Sequence, residues 1–301
     1  MKKVLMMVLA LVLSLAAVSG ALAEGGVKIG VSVADLANVF YADITDGMKS
    51  VLKEGDELII MDADFDPAKQ IADIEDMIQQ GVAVMLVDPV DSAAIRSSLE
   101  ACAEAGIPVV AYNSPCDAED LVASTVASDN YMAGELIGKA LAEELSGEGK
   151  IAMLTYDVAL VCWDRAEGFV KAISEYPGME VVVRQEITPG TDTALPVMEN
   201  MLQAYPEITG AFCLNDPSAI GAAAAIQAAG LHDKIKIVGV DGSDDGKAAI
   251  GDGRMLASAA QHPVDIGAIS IETAYKLIAG EEVEKDIKVP TELVDINNYN
   301  Q

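Results

Sequence analysis

Aromatic and hydrogen-bonding side chains of this sequence have the chemistry needed to hold a polyhydroxylated molecule. Phe40, Tyr41 and Trp163 belong to a chain in which only 4% of the residues are aromatic. An aromatic face offers an apolar surface to the C–H side of a sugar ring, while the hydroxyl groups need fixed donors and acceptors around the edge. The sequence offers such donors and acceptors at Asn113, Arg165, Asn215, Asp241 and Gln261.

The two charged members of this set, Arg165 and Asp241, nearly cancel each other. An ionised ligand would leave one charge unpaired and desolvated in a closed cleft, which is unfavourable. The charge balance therefore predicts a small neutral sugar or polyol as the ligand.

Residues for metal, nucleotide or nucleophilic chemistry do not form the motifs that such chemistry uses. The acidic segments 62–66 and 241–246 lack the spacing of a calcium loop and are expected to end strands and cap helices instead. No Gly-x-Gly-x-x-Gly or Walker motif is present, and His232 and His262 lie far apart without a Gly-x-Ser-x-Gly elbow. We therefore predict no metal, no cofactor and no enzymatic activity.

An internal repeat predicts the elements that position these residues. Residues 81–113 and 210–241 each contain an apolar strand followed by Asp-Pro, a helix ending at Gly, and a second apolar strand. Asp88 and Asn113 are 25 positions apart, as are Asp216 and Asp241. Apolar strands that alternate with helices form parallel sheets covered on both faces, and ligands bind beyond the carboxyl ends of their strands. The predicted fold class is α/β, with two doubly wound parallel-sheet lobes.

The first residues predict an exported protein. Lys2 and Lys3 precede an apolar run from Val4 to about Ala17, and the small-x-small pattern of signal peptidase sites follows at residues 21–23. Residues 1–23 are therefore a predicted signal peptide, and no cysteine follows the cut to carry a lipid anchor. The predicted location is the periplasm. A net charge of −29 repels phosphate backbones and argues against nucleic acid as a partner.

The four cysteines, Cys102, Cys116, Cys162 and Cys213, allow three disulfide pairings in an oxidising compartment. Their spacing fits no metal motif, and Cys102 and Cys213 fall within a predicted helix and strand. We expect packed thiols, and the sequence leaves open whether any of them pair.

Several segments together resemble the ribose and galactose type of periplasmic sugar-binding proteins, close in pattern to ribose-binding proteins. They include ANVFYADITDGM at residue 37, DPVDSAAI at 88, VASDNYMAGE at 126, DRAEGF at 164, CLNDPSAIGA at 213 and VGVDGSDDG at 238. The resemblance covers nearly the whole chain after residue 23. It implies sugar contacts at Asn38, Phe40 and Tyr41 in the first lobe, at Arg165, Asn215 and Asp241 in the second, and Gln261 at a hinge crossing.

The sequence also departs from the pattern that it resembles. Asn113 occupies the place of a family aspartate, and Ser114 stands where ribose binders carry Arg. Pro189 and Gly190 stand where those proteins place an aromatic residue in the second lobe, and Trp163, in a post-strand loop, is expected to replace that ring.

The resemblance implies the type I periplasmic-binding-protein fold, in which a three-segment hinge joins the lobes. The expected first lobe contains residues 24–127 and 262–288, and the second contains residues 128–261 and 289–301. The expected function is to capture a neutral monosaccharide or polyol as a monomer and to deliver it to the transmembrane subunits of an ABC permease. The alternative is a receptor for a sugar-like signal such as autoinducer-2, with a chemoreceptor or sensor kinase as partner. The identity of the sugar stays open.

Overall fold

The computed structural model describes residues 26–300, so the predicted signal peptide lies outside the described residues. Two six-stranded sheets form within that range. The strands are β1 (Lys28–Val33), β2 (Glu57–Asp62), β3 (Val84–Val87), β4 (Val109–Tyr112), β5 (Ser124–Ser128), β6 (Glu148–Thr155), β7 (Gly178–Glu186), β8 (Gly210–Cys213), β9 (Lys236–Asp241), β10 (Ala257–Ala260), β11 (Asp286–Val289) and β12 (Glu292–Asp295).

The two sheets have equivalent strand orders. The first runs β11-β5-β4-β3-β1-β2 and the second runs β12-β10-β9-β8-β6-β7. Neighbouring strands are parallel, apart from the antiparallel pair β10 and β12 among the described residues. The repeat read from the sequence is therefore a repeat of the fold, and the prediction of two α/β lobes is confirmed.

Helices cover the faces of the sheets. They are α1 (Val39–Ser50), α2 (Pro67–Gln79), α3 (Arg96–Glu104), α4 (Asn130–Glu144), α5 (Leu160–Ile173), α6 (Thr191–Ala204), α7 (Asp216–Ala228), α8 (Asp244–Gly251) and α9 (Pro263–Ile278). The central strands are apolar and buried on both sides, as Leu86 and Phe212 illustrate, and this burial is the main contribution to the stability of each lobe. None of the helices in residues 26–300 has the length and apolar character to cross a membrane.

Polar residues after the strands cap the following helices. Asp66 accepts hydrogen bonds from the backbone N–H groups at the start of α2, as predicted for that acidic segment. After β9 the cap is instead the hydroxyl of Ser243, which accepts from Gly246. Asn38 and Asn215 cap α1 and α7, so the helix ends fix the backbone of two predicted site residues.

Glycine lets the two helices next to the cleft of the second lobe approach each other closely. A Cβ atom on Gly134 of α4 would lie 2.0 Å from the carbonyl oxygen of Arg165 on α5, and one on Gly168 would lie 2.1 Å from that of Tyr131. No side chain fits at such distances. This contact places Arg165 against the first turn of α4, where its partner Asn130 lies.

The chain passes between the sheets three times within the described residues, from β5 to α4, from β10 to α9, and from β11 to β12. The lobes also touch across the cleft. Ser92, in the loop after β3, donates its backbone N–H to the carbonyl oxygen of Val158 at 3.0 Å, and its Oγ accepts from the N–H of Leu160 at 3.0 Å. The described arrangement is therefore one in which the lobes are closed on each other.

All four cysteines are buried free thiols within the described part of the chain. Cys102 lies on α3 and Cys213 ends β8. Burial raises the pKa of Cys162 to about 11 and that of Cys102 to about 11 as well, so both thiols stay protonated and unreactive at neutral pH.

Candidate functional site

The carboxyl ends of strands from both sheets face a small cavity, here named the inner cavity, of about 30 Å³. Seven of the nine predicted site residues line it, namely Asn38, Phe40, Tyr41, Asn113, Arg165, Asn215 and Asp241. Gln261 lies immediately behind Asp241 and donates to it at 2.8 Å. The strand ends, and the loops and helix starts that follow them in both lobes, thus bring eight of the nine predicted residues together.

Arg165 is the centre of the second-lobe half of the site. It is only 5% exposed, its Nε donates to Asn130 Oδ1 at 2.8 Å, and one terminal nitrogen donates to the carbonyl oxygen of Leu214 at 3.0 Å. The same nitrogen lies 4.0 Å from Asp241 Oδ1. The guanidinium is therefore held rigidly, with its charge directed at acceptors of the second lobe.

Asp241 and Asp216 form a buried carboxyl pair. Burial and the neighbouring Asp216 raise the pKa of Asp241, while Arg165 and the Gln261 amide act in the opposite direction. Burial also raises the pKa of Asp216, whose oxygens accept from the hydroxyls of Ser258 and Ser243 at 2.6 and 2.9 Å. Because Asp216 is satisfied by serines behind the sheet edge, Asp241 is the member of the pair that faces the cavity.

The first lobe contains the equivalent pair at the same spacing. Asn113 Nδ2 lies 3.3 and 3.2 Å from the two oxygens of Asp88. Burial raises the pKa of Asp88 to about 8. Asn113 has φ 60° and Asp241 has φ 136°, so both residues leave their strands with a positive φ, which amide and carboxylate residues tolerate better than most.

The four amide side chains divide into donors and acceptors. Asn38 and Asn215 use Oδ1 to cap their helices, at 3.1 Å from Phe40 N and 3.0 Å from Ser218 N, so each has Nδ2 to donate. Asn113 and Gln261 donate their nitrogens to aspartates. Their oxygens are buried and have no hydrogen-bond partner among residues 26–300. Hydroxyl groups both donate and accept, so they match this mixed set.

Aromatic rings form a ladder that crosses from one lobe to the other. The ring centroids of Phe40 and Tyr41, Tyr41 and Phe65, and Phe65 and Tyr156 lie 5.6, 6.4 and 6.1 Å apart in edge-to-face arrangements. Tyr156 follows β6 and supplies the aromatic ring of the second lobe that the sequence assigned to Trp163. Tyr41, Phe65 and Tyr156 line a second cavity of about 30 Å³ next to the inner cavity, here named the aromatic cavity.

Trp163 lies elsewhere, and its predicted place in a post-strand loop is wrong. Strand β6 ends at Thr155 and α5 begins at Leu160, so only residues 156–159 form the loop. The face of α5 turned inward carries Val161, Cys162 and Arg165, and successive helical residues are about 100° apart. Trp163 consequently points to the other side, is 43% exposed, and lines neither the inner nor the aromatic cavity.

Four residues of the site were not among the predicted residues, namely Phe65, Asp88, Asn130 and Tyr156. Asp88 could have been recognised from the sequence, because it occupies the position in the first repeat that Asp216 occupies in the second. Tyr156 could have been recognised too, because it directly follows an apolar strand. Phe65 and Asn130 come from a loop and a helix start in which nothing local marks a function.

The comparisons with known proteins agree with this geometry. A model of the periplasmic binding protein domain matches residues 29–282. The ribose import binding protein RbsB of Escherichia coli (strain K12) is 34% identical and covers 98% of each chain. A solved ABC transporter solute binding protein of Bacillus halodurans C-125 with bound myo-inositol is 30% identical with a TM-score of 0.86, covering 92% of this chain and 97% of its own. One from Mycobacterium smegmatis with bound glycerol is 36% identical with a TM-score of 0.86, covering 91% and 96%.

Proposed function

We propose that this chain, which belongs to the periplasmic binding protein family, captures a neutral monosaccharide or polyol between its lobes and delivers it to the permease of an ABC importer. Its fold is that of the type I periplasmic binding proteins. The observation that carries the proposal is that Asn38 and Asn215 line the inner cavity with amide nitrogens available to donate, while Asn113 lines it with a buried oxygen that has no partner among residues 26–300. A polyhydroxylated molecule satisfies both kinds of group at once.

The proposed ligand contacts come from both lobes, and this explains how binding is coupled to closure. Asn38, Tyr41 and Asn113 belong to the first lobe, whereas Arg165 and Asp241 belong to the second. A ligand that bonds to both sets binds the closed arrangement better than the open one and shifts the population towards it. We propose that the three connections between the sheets act as the hinge, and that the closed surface is what the permease recognises.

The family is periplasmic, and its members listed above are binding proteins rather than enzymes. For this chain we propose the same location and the same lack of catalysis, with cleavage near residue 23 and release as a free monomer. Mass spectrometry of the exported protein and size-exclusion chromatography test these points, because an intact N-terminus, a lipid adduct or a dimer would each contradict one of them.

The competing interpretation as a receptor for autoinducer-2 is not favoured, since the relatives bind or import sugars and polyols. A chemoreceptor as a second partner stays a prediction. Pull-down of the ligand-bound protein with the permease subunits, compared with the ligand-free protein, tests the proposed partner.

The test of the function itself is calorimetric titration of the mature protein with pentoses, hexoses, cyclitols, linear polyols, amino acids and autoinducer-2. We expect saturable binding of at least one neutral sugar or polyol and no turnover of it. Asp241→Asn should weaken that binding by about 100-fold, because a buried charge-assisted hydrogen bond contributes roughly 1.5–3 kcal/mol. Asp233→Asn, which removes a charge from a side chain that is 90% exposed, is the control. Binding of amino acids alone would refute the proposal.

A further inference from the structure

The aromatic cavity differs chemically from the inner cavity beside it. Its lining includes the rings of Tyr41, Phe65 and Tyr156 together with Asp88 and Asn113. Of the described residues that line it, none is Lys or Arg; Arg165 borders the inner cavity and lowers the pKa of Asp88 from there. A carboxyl group beside aromatic rings, in a cavity that no cation lines, has the chemistry to hold an ammonium group.

A residue that lines both the aromatic and the inner cavity carries an unsatisfied acceptor. Asn113 lines the aromatic cavity, is 3% exposed, and uses its Nδ2 on Asp88. Its Oδ1 has no hydrogen-bond partner anywhere in residues 26–300. A buried acceptor left without a donor costs about 1–3 kcal/mol, so this position requires a donor from the ligand. A protonated amine has donors and no acceptor, which fits both Asn113 Oδ1 and Asp88.

The charges around the cleft also differ from those that the sequence alone suggested. Arg165 and Asp241 lie 4.0 Å apart in the second lobe and balance each other. The charge balance drawn from the sequence did not include Asp88, which adds a buried carboxyl in the first lobe. The wider groove of about 530 Å³ that leads inward from solvent is bordered by Asp35, Asp192 and Asp245, and by no Lys or Arg of the described residues. Such a path attracts cations.

We infer that the aromatic cavity receives a protonated amino group, so that the protein binds amino-substituted sugars or polyols in addition to the neutral ones. The inference rests on the proposed function, because the remainder of the ligand is held by the hydroxyl-binding residues of the inner cavity. The volume of about 30 Å³ suits one amino or methylamino group, since a single water needs about 10–15 Å³ measured in this way. Ser114, where ribose binders carry Arg, leaves this cavity without a competing cation.

The experiment compares matched pairs by calorimetry. The probes are glucosamine, galactosamine and mannosamine with their parent hexoses, and the single amino-deoxy derivatives of myo-inositol with myo-inositol. We expect at least one amine to bind about tenfold more tightly than its parent, as an ammonium in an aromatic and carboxylate environment does. Asp88→Asn should weaken binding of the amine about tenfold more than it weakens binding of the parent polyol, and the exposed Asp233→Asn should leave both affinities and the preference unchanged.

A second measurement uses the unaltered protein, in case Asp88→Asn does not fold. At pH 6 Asp88 is protonated, because burial raises its pKa to about 8, and an ammonium ligand should ionise it and release one proton. The groups facing Asp88 are Tyr41 from α1, Tyr112 from β4, and Cys162 and Arg165 from α5. Burial raises the pKa of both tyrosines and of Cys162, so these three groups do not change charge near pH 6. Burial also raises the pKa of Asp241 to about 7 and that of Asp216 to about 6, so these second-lobe carboxyls exchange protons in the same range, and the proton of Asp88 is measured as the difference between an amine and its parent.

Titration at pH 6 in two buffers of different ionisation enthalpy measures this proton directly. We expect the amine to release about one proton more than its parent does. Amines that bind no better than their parents, or that release no more protons than their parents, would overturn the inference while leaving the proposed function standing. Failure of every amine and every parent to bind would instead refute the proposed function.

Discussion

Replacing Ser92 with alanine should weaken ligand binding through a contact between the lobes, beyond its effect on the stability of the ligand-free protein. Ser92 is fixed within the first lobe, where its carbonyl oxygen accepts from Asp117 N at 3.0 Å and its Oγ donates to the Pro115 carbonyl oxygen at 3.2 Å. Across the cleft the same Oγ accepts from the N–H of Leu160 at 3.0 Å. That N–H lies at the start of α5, where no side chain of α5 itself caps it. It is therefore bonded to Ser92 when the lobes are closed and free to bond to water when they separate.

The size of the effect on affinity follows from the hydrogen bond lost across the cleft, because the bond to Pro115 lies within the first lobe and is lost in the open and closed arrangements alike. A hydrogen bond between neutral groups contributes about 0.5–1.5 kcal/mol, and in Ser92→Ala this is subtracted from the closed arrangement alone. Since ligand binds the closed arrangement, its dissociation constant should rise by about 2- to 13-fold. The backbone contact from Ser92 to Val158 is retained in the variant, so closure itself is preserved.

Calorimetry of whichever sugar or polyol binds the unaltered protein measures the change, and thermal unfolding of the ligand-free protein supplies the comparison. Ser50→Ala is the matched control, because it removes a hydroxyl that bonds only within α1, to the carbonyl oxygen of Gly47. An unchanged affinity in Ser92→Ala, or a loss of affinity matched by an equal loss in Ser50→Ala, would show that this contact does not stabilise the closed lobes.

Three further predictions test the site. Arg165→Ala should abolish binding and also lower the free energy of unfolding by about 3–5 kcal/mol, since it leaves buried Asp241 and the Asn130 and Leu214 oxygens unpaired; denaturant titration measures this. The pKa of Asp88 is raised from an unfolded value of about 3.9 to about 8, so the ligand-free protein should lose stability as pH rises from 4 to 8, and Asp88→Asn should flatten that slope in unfolding curves. Trp163→Phe should leave affinity within about twofold of the unaltered protein, because an exposed residue outside the cavities contributes little, and a large loss in calorimetry would contradict its placement.

Much of the fold was predictable because the sequence repeats itself. Apolar strands followed by Asp-Pro occur at equivalent places in both halves, and the structure has two sheets with equivalent strand orders. The rule that ligands bind beyond the carboxyl ends of parallel strands then identified Asn113, Asn215 and Asp241 as cleft residues. These predictions depend on the internal repeat and on the apolar strands, and both can be recognised in a single sequence.

The predictions about Trp163 and Tyr156 failed because they depend on where one strand or helix ends and the next begins. Trp163 was expected in a loop, and a helix start only a few residues earlier turned its ring to solvent. The contribution of Tyr156 was missed for the same reason, since the short loop after β6 brings that ring, not Trp163, to Phe65. Element boundaries follow from packing that is not local in sequence, such as the glycine contact between α4 and α5.

The duplicated carboxyl positions also explain why the two lobes make different demands on a ligand. Each lobe has an aspartate bonded to an amide, Asp88 with Asn113 and Asp241 with Gln261, and in each case the amide oxygen is left buried without a partner in the described chain. The guanidinium of Arg165 lies 4.0 Å from Asp241, whereas its effect on Asp88 in the first lobe is too weak to offset the burial that raises the pKa of that carboxyl. The first lobe therefore either keeps Asp88 protonated or obtains positive charge from the ligand, so the two ends of a polyol meet different environments in the site.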